Sequence, residues 1–472
     1  MSELADPRAA RSFRFVRRSY AADGQAELVY AFDDGPELIE RIGFPGAPPL
    51  AADRREAFEA ALDLMHLIVG VSYYKAGVPP EIVIEGRPID AATAAFLNEV
   101  YLHGLAEFGY QNKLDLRGRI RFPAAKIDMD SRWRGNDGTA ESPAQRDEAS
   151  GAAAVSATDS VLRRTLVPIG GGKDSLVSVE MLKGVHEPAT AVWIGDSALI
   201  AACAARTGLP TLNISRRLAP ELFEYNRIGA WNGHIPVTAI NSAILLCAAL
   251  LYGHDAIAFS NERSASAATL EYDGQQINHQ WSKSLTFERD LRAHMATHIA
   301  ADLDYFSLLR PLSELAVTRE FARHTQYDDV FSSCNRNFRI RGERPADRWC
   351  GQCPKCHFVF LALAPFVAKP RLLAIFGRNL LDDRALAAGF DALLEYREHR
   401  PFECVGEGRE SRAAMQALTQ RPEWREDALV ARFADEIAPQ LNLGELALEP
   451  LLLPSGQHFV PPRLQSRLHA AN

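Results

Sequence analysis

The stretch that most limits what this chain can fold into is Val167-Pro168-Ile169-Gly170-Gly171-Gly172-Lys173-Asp174-Ser175. An apolar run from Leu166 to Ile169 stops at three glycines, and a helical pattern over 176–183 follows. A strand, a glycine turn and a helix start point successive backbone N–H groups at one place, which suits an anion. Glycine leaves no Cβ between that backbone and phosphate oxygens. Ser175 is placed to bind phosphate while opening the helix, and Lys173 adds positive charge. A carboxylate such as Asp174 belongs beside phosphates when a Mg²⁺ lies between them. An ordinary glycine turn needs none of these three side chains.

The spacing is not that of a Walker A loop, which has four residues between its first glycine and Gly-Lys-Ser/Thr. It resembles the PP-loop, Ser/Gly-Gly-Gly-x-Asp-Ser, of the N-type ATP pyrophosphatases. The resemblance implies ATP, split between its α- and β-phosphates into AMP and pyrophosphate. It places Gly170, Gly171, Gly172 and Ser175 on the pyrophosphate and Asp174 near Mg²⁺. It is silent about what is adenylated.

Around this loop the chain alternates short apolar runs with helical patterns. Strands are expected over 162–169, 189–194, 210–214 and 255–259, and helices over 175–183, 196–206 and 237–252. Short buried strands between helices predict an α/β fold, a parallel sheet with helices on both faces. Ligands then sit at the carboxyl ends of the strands. The candidates there are Gly170 to Ser175, Gly195-Asp196 and Ser260-Asn261-Glu262.

Residues 1–134 read as a small α+β domain with a hairpin over 12–33, helices over 53–70 and 91–108, and a strand over 81–84. Residues 135–160 are small, polar and without an apolar face, as in a flexible linker. The ATP domain spans 161–330, with 280–330 mostly helical and interrupted at Arg310-Pro311-Leu312. A cysteine-containing helical region covers 331–400, in which Pro365 and Pro370 break the apolar run 357–377. Residues 401–472 mix helical pattern and proline-rich turns, with no legible role.

Composition narrows the function. The formal charge is −8 and the pI near 5.9, so there is no basic footprint for nucleic acid. The N-terminus lacks the apolar core of a signal peptide. The longest apolar stretch, 237–252, is too short to span a bilayer. The expectation is a cytoplasmic enzyme.

Three of the seven cysteines follow Cys350-Gly-Gln-Cys353-Pro-Lys-Cys356, and Cys334 lies upstream. Four thiolates are enough for a tetrahedral zinc site, although an iron–sulfur cluster or redox thiols use similar spacing. The segment also resembles the zinc-binding cysteines of the 7-cyano-7-deazaguanine synthases, where the first cysteine lies closer. His357 is therefore the substitute for Cys334 as fourth ligand. Cys203 and Cys247 sit in apolar helical patterns and read as core; Cys404 carries no signal.

Three polar stretches exceed what a core accepts: Trp231 to Thr238 with His234, Ser260 to Ser264 with Glu262, and Asn278 to Ser284 with His279 and Lys283. His279 and Lys283, four apart, suit one helical face. Each stretch also has a structural reading, as a backbone-satisfied histidine, a helix-cap carboxylate or a solvated helix start. Arg310 is a candidate for phosphate or for a surface ion pair.

Together FDDGPELIERIGFP, PIGGGKDSLVSVE, NGHIPVTAINS, SNERSAS, NHQWSKSLTFE and WCGQCPKCHFVFLALAPF resemble the muramoyl-dipeptide glutamate epimerases, the MurL family. The resemblance covers roughly residues 28–400. It implies conversion of UDP-N-acetylmuramoyl-L-alanyl-L-glutamate to its D-glutamate isomer for peptidoglycan, with ATP and Mg²⁺ consumed. The proton-transfer candidates are His234, His279, Lys283 and Glu262. A PP-loop ligase or an RNA-thiolating enzyme is the competing expectation.

Overall fold

A computed structural model of the chain describes residues 4–125, 163–339, 343–442, 444 and 446–470. The expected linker, 135–160, lies outside the described residues. Near the N-terminus β1 (Ser12–Tyr20), β2 (Gln25–Phe32) and β3 (Leu38–Gly43) run antiparallel, and β4 (Glu81–Ile84) pairs parallel with β1. The hairpin forms because its apolar residues alternate: Phe13, Phe15, Leu28 and Tyr30 are all fully buried.

Four further parallel strands follow in the pattern read from the sequence: β5 (Thr165–Pro168), β6 (Ala189–Ile194), β7 (Thr211–Arg217) and β8 (Ala256–Phe259). A small hairpin, β9 (Leu270–Tyr272) with β10 (Gln275–Ile277), precedes the last strand, β11 (Asp304–Ser307). One nine-stranded sheet results, in the order β11-β8-β5-β6-β7-β3-β2-β1-β4. The N-terminal strands join it through β3 and β7, which pair antiparallel. At that seam Arg216 Nε donates to Glu40 Oε1 at 2.6 Å, and Glu40 is fully buried.

The helix Val237–Tyr252 has the bounds expected, and twelve of its residues are buried. Apolar all round, it packs between the sheet and the helix Arg55–Val69. Each buried Leu or Ile contributes about 1.5–3 kcal/mol, so a charge at Leu246 would open this layer. It ends at Gly253, which is left-handed at φ 68. Among the described residues no helix is long and apolar enough to cross a membrane.

Three expectations need correction. Residues 280–330 are helical over Leu285–His298 and Glu314–Phe321, but an unexpected strand, β11, lies between these helices. Its four residues, Asp304-Tyr-Phe-Ser, are too few to show a period. The apolar run does break into the short helices Pro354–Leu363 and Lys369–Phe376, but Pro370 lies past the break, in the first turn of the second helix, where its missing N–H costs nothing. The helix over 91–108 is two, Ala91–Gly104 and Ala106–Asn112, divided at Leu105.

Candidate active site

The chain runs β5, β6, β7 outward in one direction and then returns to lay β8 on the other side of β5. The crevice at the carboxyl ends of β5 and β8 is thus the switch point, where open α/β sheets hold ligands. The glycine loop leaves β5 and starts the helix Lys173–Gly184 at this point. Each glycine is there for a different reason. Gly171 is left-handed at φ +81 and packed by Ile200, Phe338 and the Ser332 carbonyl. A Cβ on Gly172 would lie 2.6 Å from Ser333 Oγ. A Cβ on Gly170 would meet no protein atom within 4 Å. The loop backbone is therefore open on the Gly170 side, as a phosphate cradle requires. Ser175 Oγ donates to the Gly172 carbonyl at 3.2 Å and accepts from Gly170 N–H at 3.4 Å, so the hydroxyl braces the loop from within.

Three carboxylates converge beside the loop. Oxygens of Asp174, Glu262 and Glu314 lie within 4.8 Å of one another, close enough to share one cation. Lys173 is 1 % exposed and does not face the open side. Its Nζ contacts Asp174 Oδ1 at 2.5 Å and also pairs with Glu314. The ammonium stays protonated: burial opposes the charge, but the two carboxylates outweigh it. Burial raises the Asp174 carboxyl, yet Lys173 and Lys355 hold it below the usual range. Glu262 is less well supported, because the Lys283 charge does not offset its burial. Its Oε1 is buried without a hydrogen-bond partner, and burial, with Glu314 and Asp174 nearby, pushes it up to about 8. An unpaired buried oxygen beside two other carboxylates fits a site for a divalent cation.

A second polar cluster adjoins the first. Glu107 on the helix Ala106–Asn112 accepts from His279 Nδ1 at 2.5 Å. His234 Nδ1 is 3.9 Å from the same carboxylate, and the two imidazole centroids are 4.3 Å apart. Lys283 Nζ is 3.3 Å from Cys404 Sγ. Burial opposes charge on His279, but hydrogen bonds to Cys404 and Glu107 push its imidazolium up to about 10. Burial and the neighbouring His279 charge push His234 down to about 3. Burial raises Glu403 to about 7. Arg310, expected at phosphate or at the surface, is neither. It is 2 % exposed, pairs with Glu288 at 3.0 Å, and donates to the Glu262 carbonyl at 2.8 Å and the Lys283 carbonyl at 2.5 Å. One guanidinium thus fixes the backbones that carry Glu262 and Lys283.

The four thiols of Cys334, Cys350, Cys353 and Cys356 lie within 4.8 Å of one another. Three Sγ–Sγ distances are 4.0, 3.7 and 3.4 Å. A tetrahedral zinc with bonds of about 2.3 Å sets thiolates about 3.8 Å apart, so the set fits that ion. His357 is not the fourth member. Its Nε2 is 3.3 Å from the Gly351 carbonyl and its ring stacks on Phe390. The thiol cluster also bears on the loop, because Ser332 and Ser333 precede Cys334 and Ser332 N–H donates to the Gly171 carbonyl at 2.9 Å. Cys203 and Cys247 are buried core, as expected.

The sequence-derived candidates thus gather into two adjoining clusters. His279 and Lys283 do not share a helical face. Lys283 ends a short 3₁₀ turn, Trp281–Lys283, and His279 precedes it. Gly195-Asp196 joins neither cluster. Four participants were not singled out by sequence: Glu107, Glu314, Lys355 and Cys404. The first three sit in ordinary amphipathic or apolar helical pattern, and Cys404 sits in a loop without a motif, so only the fold places them.

A family model described as the MurL N-terminal domain matches residues 4–308, and one described as the MurL C-terminal domain matches residues 330–447. A protein of Xanthomonas oryzae pv. oryzae named UDP-N-acetyl-alpha-D-muramoyl-L-alanyl-L-glutamate epimerase is 57% identical over 461 residues, 97% of each chain. One of that name from Salinispora tropica is 40% identical over 96% of this chain and 95% of its own. Another from Micromonospora sp. is 39% identical over 95% and 96%.

Proposed function

Because the chain belongs to the MurL family and is an isomerase of the epimerase type, we propose that it inverts the terminal L-glutamate of UDP-N-acetylmuramoyl-L-alanyl-L-glutamate by way of a carboxyl adenylate. ATP is split to AMP and diphosphate, and the D-glutamyl product serves peptidoglycan precursor synthesis. The chemical need is plain. The Cα proton of a C-terminal glutamate is very weakly acidic, since the neighbouring carboxylate resists a carbanion. Joining that carboxylate to AMP removes its charge and makes an activated acyl group, from which an enolate is accessible. Proton return on the other face inverts the centre, and water then releases AMP.

The observation that carries this reading is the pairing of two clusters at one switch point. The open side of Gly170, beside Asp174, Glu262 and Glu314, suits a polyphosphate with its cation. The adjoining histidines, Lys283 and Cys404 suit proton transfer. Asp174, Glu262 and Glu314 are the residues that would hold Mg²⁺, which offsets phosphate charge when bound. Gly170, Gly171, Gly172 and Ser175 would hold the pyrophosphate. Lys173 acts from behind, holding Asp174 and Glu314 in place. The four cysteines would hold a structural zinc.

The test is incubation with ATP, Mg²⁺ and the L-glutamyl substrate in D₂O. Substrate-dependent AMP with deuterium at the glutamyl Cα is the expected result. A ligase of the same loop type would instead require ammonia or another acceptor and leave Cα undeuterated. RNA-dependent AMP release would point to thiolation. Either outcome would replace the epimerase reading.

A further inference from the structure

Cys404 lies in the segment 400–407, which crosses the second cluster and is bolted down there. Arg400 donates to the Ala268 carbonyl at 2.7 Å and to the Gly406 carbonyl at 3.3 Å. Lys355 holds the Cys404 carbonyl, and Gln280 Nε2 donates to the Val405 carbonyl at 3.4 Å. The half-buried thiol so fixed meets Lys283 Nζ at 3.3 Å and feels the charge of His279, itself anchored by Glu107. Lys283 feels Cys404 on one side and Glu262 and Asp174 on the other, so the thiol stands one ammonium away from the acidic cluster.

The groups around it differ in what they can do. Lys283 and His279 keep their protons, the first against burial and under the attraction of Cys404 and Glu262. His234 is neutral but held down to about 3, which makes it a weak base. Glu262 belongs to the acidic cluster with Asp174 and Glu314. Burial would raise the Cys404 thiol, but Lys283 and His279 bring it down to about 5, so it carries the negative charge and a free electron pair. Lys355 and Glu403 are the other charged neighbours, and they act in opposite senses on their surroundings.

We propose that Cys404 is the catalytic group that exchanges the glutamyl Cα proton on one face of the substrate, with Lys283 facing the developing enolate oxygen. This rests on the adenylate reading above. In the forward sense the Cα–H bond breaks and the proton forms an S–H bond on Cys404. The electron pair left on Cα moves onto the acyl oxygen of the adenylate, opposite the Lys283 ammonium. A proton from a second group on the opposite face re-forms the Cα–H bond, and exchange with water resets both groups. In the reverse sense the thiol is the donor.

The experiment uses full-length wild type, Cys404→Ser and Cys404→Ala, with each glutamyl epimer in D₂O. Substrate-dependent ATP–pyrophosphate exchange reports adenylation, and Cα deuteration reports proton transfer. Both variants are expected to keep adenylation within about tenfold and to lose inversion by about 10²- to 10⁴-fold. Deuteration should vanish from one epimer and persist from the other, a one-sided loss that a merely structural role would not produce. Deuteration of both epimers at the wild-type rate overturns the proposal, as does equal loss of every activity. So does an acyl-enzyme trapped at Cys404, which would make the thiol a nucleophile. Wild type without any pyrophosphate exchange would instead defeat the adenylate reading. A second measurement stands apart from ATP: iodoacetamide labelling of Cys404, followed by peptide mass, should have a pH midpoint near 5. A midpoint at the ordinary 8–9 overturns the thiolate.

Discussion

Gly170→Ala separates what the fold needs from what a ligand needs. A Cβ there meets no protein atom within 4 Å, and Gly170 is not in the left-handed region. Alanine should therefore be free of steric cost and should stabilise the chain by about 0.4–1 kcal/mol through the unfolded state. The same Cβ projects into the open side of the cradle. Displacing a phosphate oxygen there by about 1 Å should lower AMP formation about 100-fold, or about 2.7 kcal/mol in the barrier. The neighbouring glycines cannot make this separation. Gly171→Ala carries left-handed strain of about 1–2 kcal/mol, and Gly172→Ala collides with Ser333. Urea midpoints and substrate-dependent AMP release, measured on one preparation, give both numbers. Wild-type turnover in Gly170→Ala would mean that no phosphate sits against Gly170. A stability loss matching the activity loss would mean that the space is not open.

Two other perturbations test the surroundings. Cys334→Ser should remove one equivalent of bound metal and loosen the Ser332 contact to Gly171, weakening ATP use at least tenfold; full metal content by elemental analysis would show that Cys334 is not a ligand the metal needs. His66 is buried against the Val29 carbonyl at 3.1 Å, and burial lowers it from 6.5 to about 4. The unfolded chain therefore binds the extra proton first, so this contribution is complete above pH 6.5 and is lost as pH falls through about 4. Between pH 7 and 4.5 the loss should be about 2–3 kcal/mol, and His66→Gln should flatten that part of the urea-midpoint profile. An unchanged profile would mean that His66 does not titrate there.

The parallel half of the sheet was readable because β5, β6 and β8 are short apolar runs bounded by glycines or charges, and β7 alternates through Leu212 and Ile214. The helix Val237–Tyr252 was readable because nothing polar interrupts its core face for long. β3 and β11 were not, since Leu-Ile-Glu-Arg-Ile and Asp-Tyr-Phe-Ser become strands only by pairing with β2, β7 and β8. The glycine loop and the cysteine spacing announce chemistry locally, because backbone shape and ligand count are properties of a short stretch. Lys173 shows the opposite case, since its charge beside the glycines was legible but its pairing with Glu314, 141 residues away, was not. Arg310 is not at the surface for the same reason, as its partners come from Glu262, Lys283 and Glu288.

Distance in sequence also explains why the second cluster has no motif. Glu107 comes from the N-terminal segment, His279 and Lys283 from the turn before Leu285–His298, and Cys404 from the C-terminal segment. Each residue alone is unremarkable; their charges acquire meaning only together. Glu107 holds the His279 proton, and His279 and Lys283 hold the Cys404 charge. Lys283 then faces the acidic cluster that faces the glycine loop, and Arg310 locks Lys283 to Glu262. In the proposed reaction, substrate activation and proton transfer would be joined through this one half-buried cation. That reaction would require the join, because a Cα proton loosened by adenylation is useful only if a base already waits beside it.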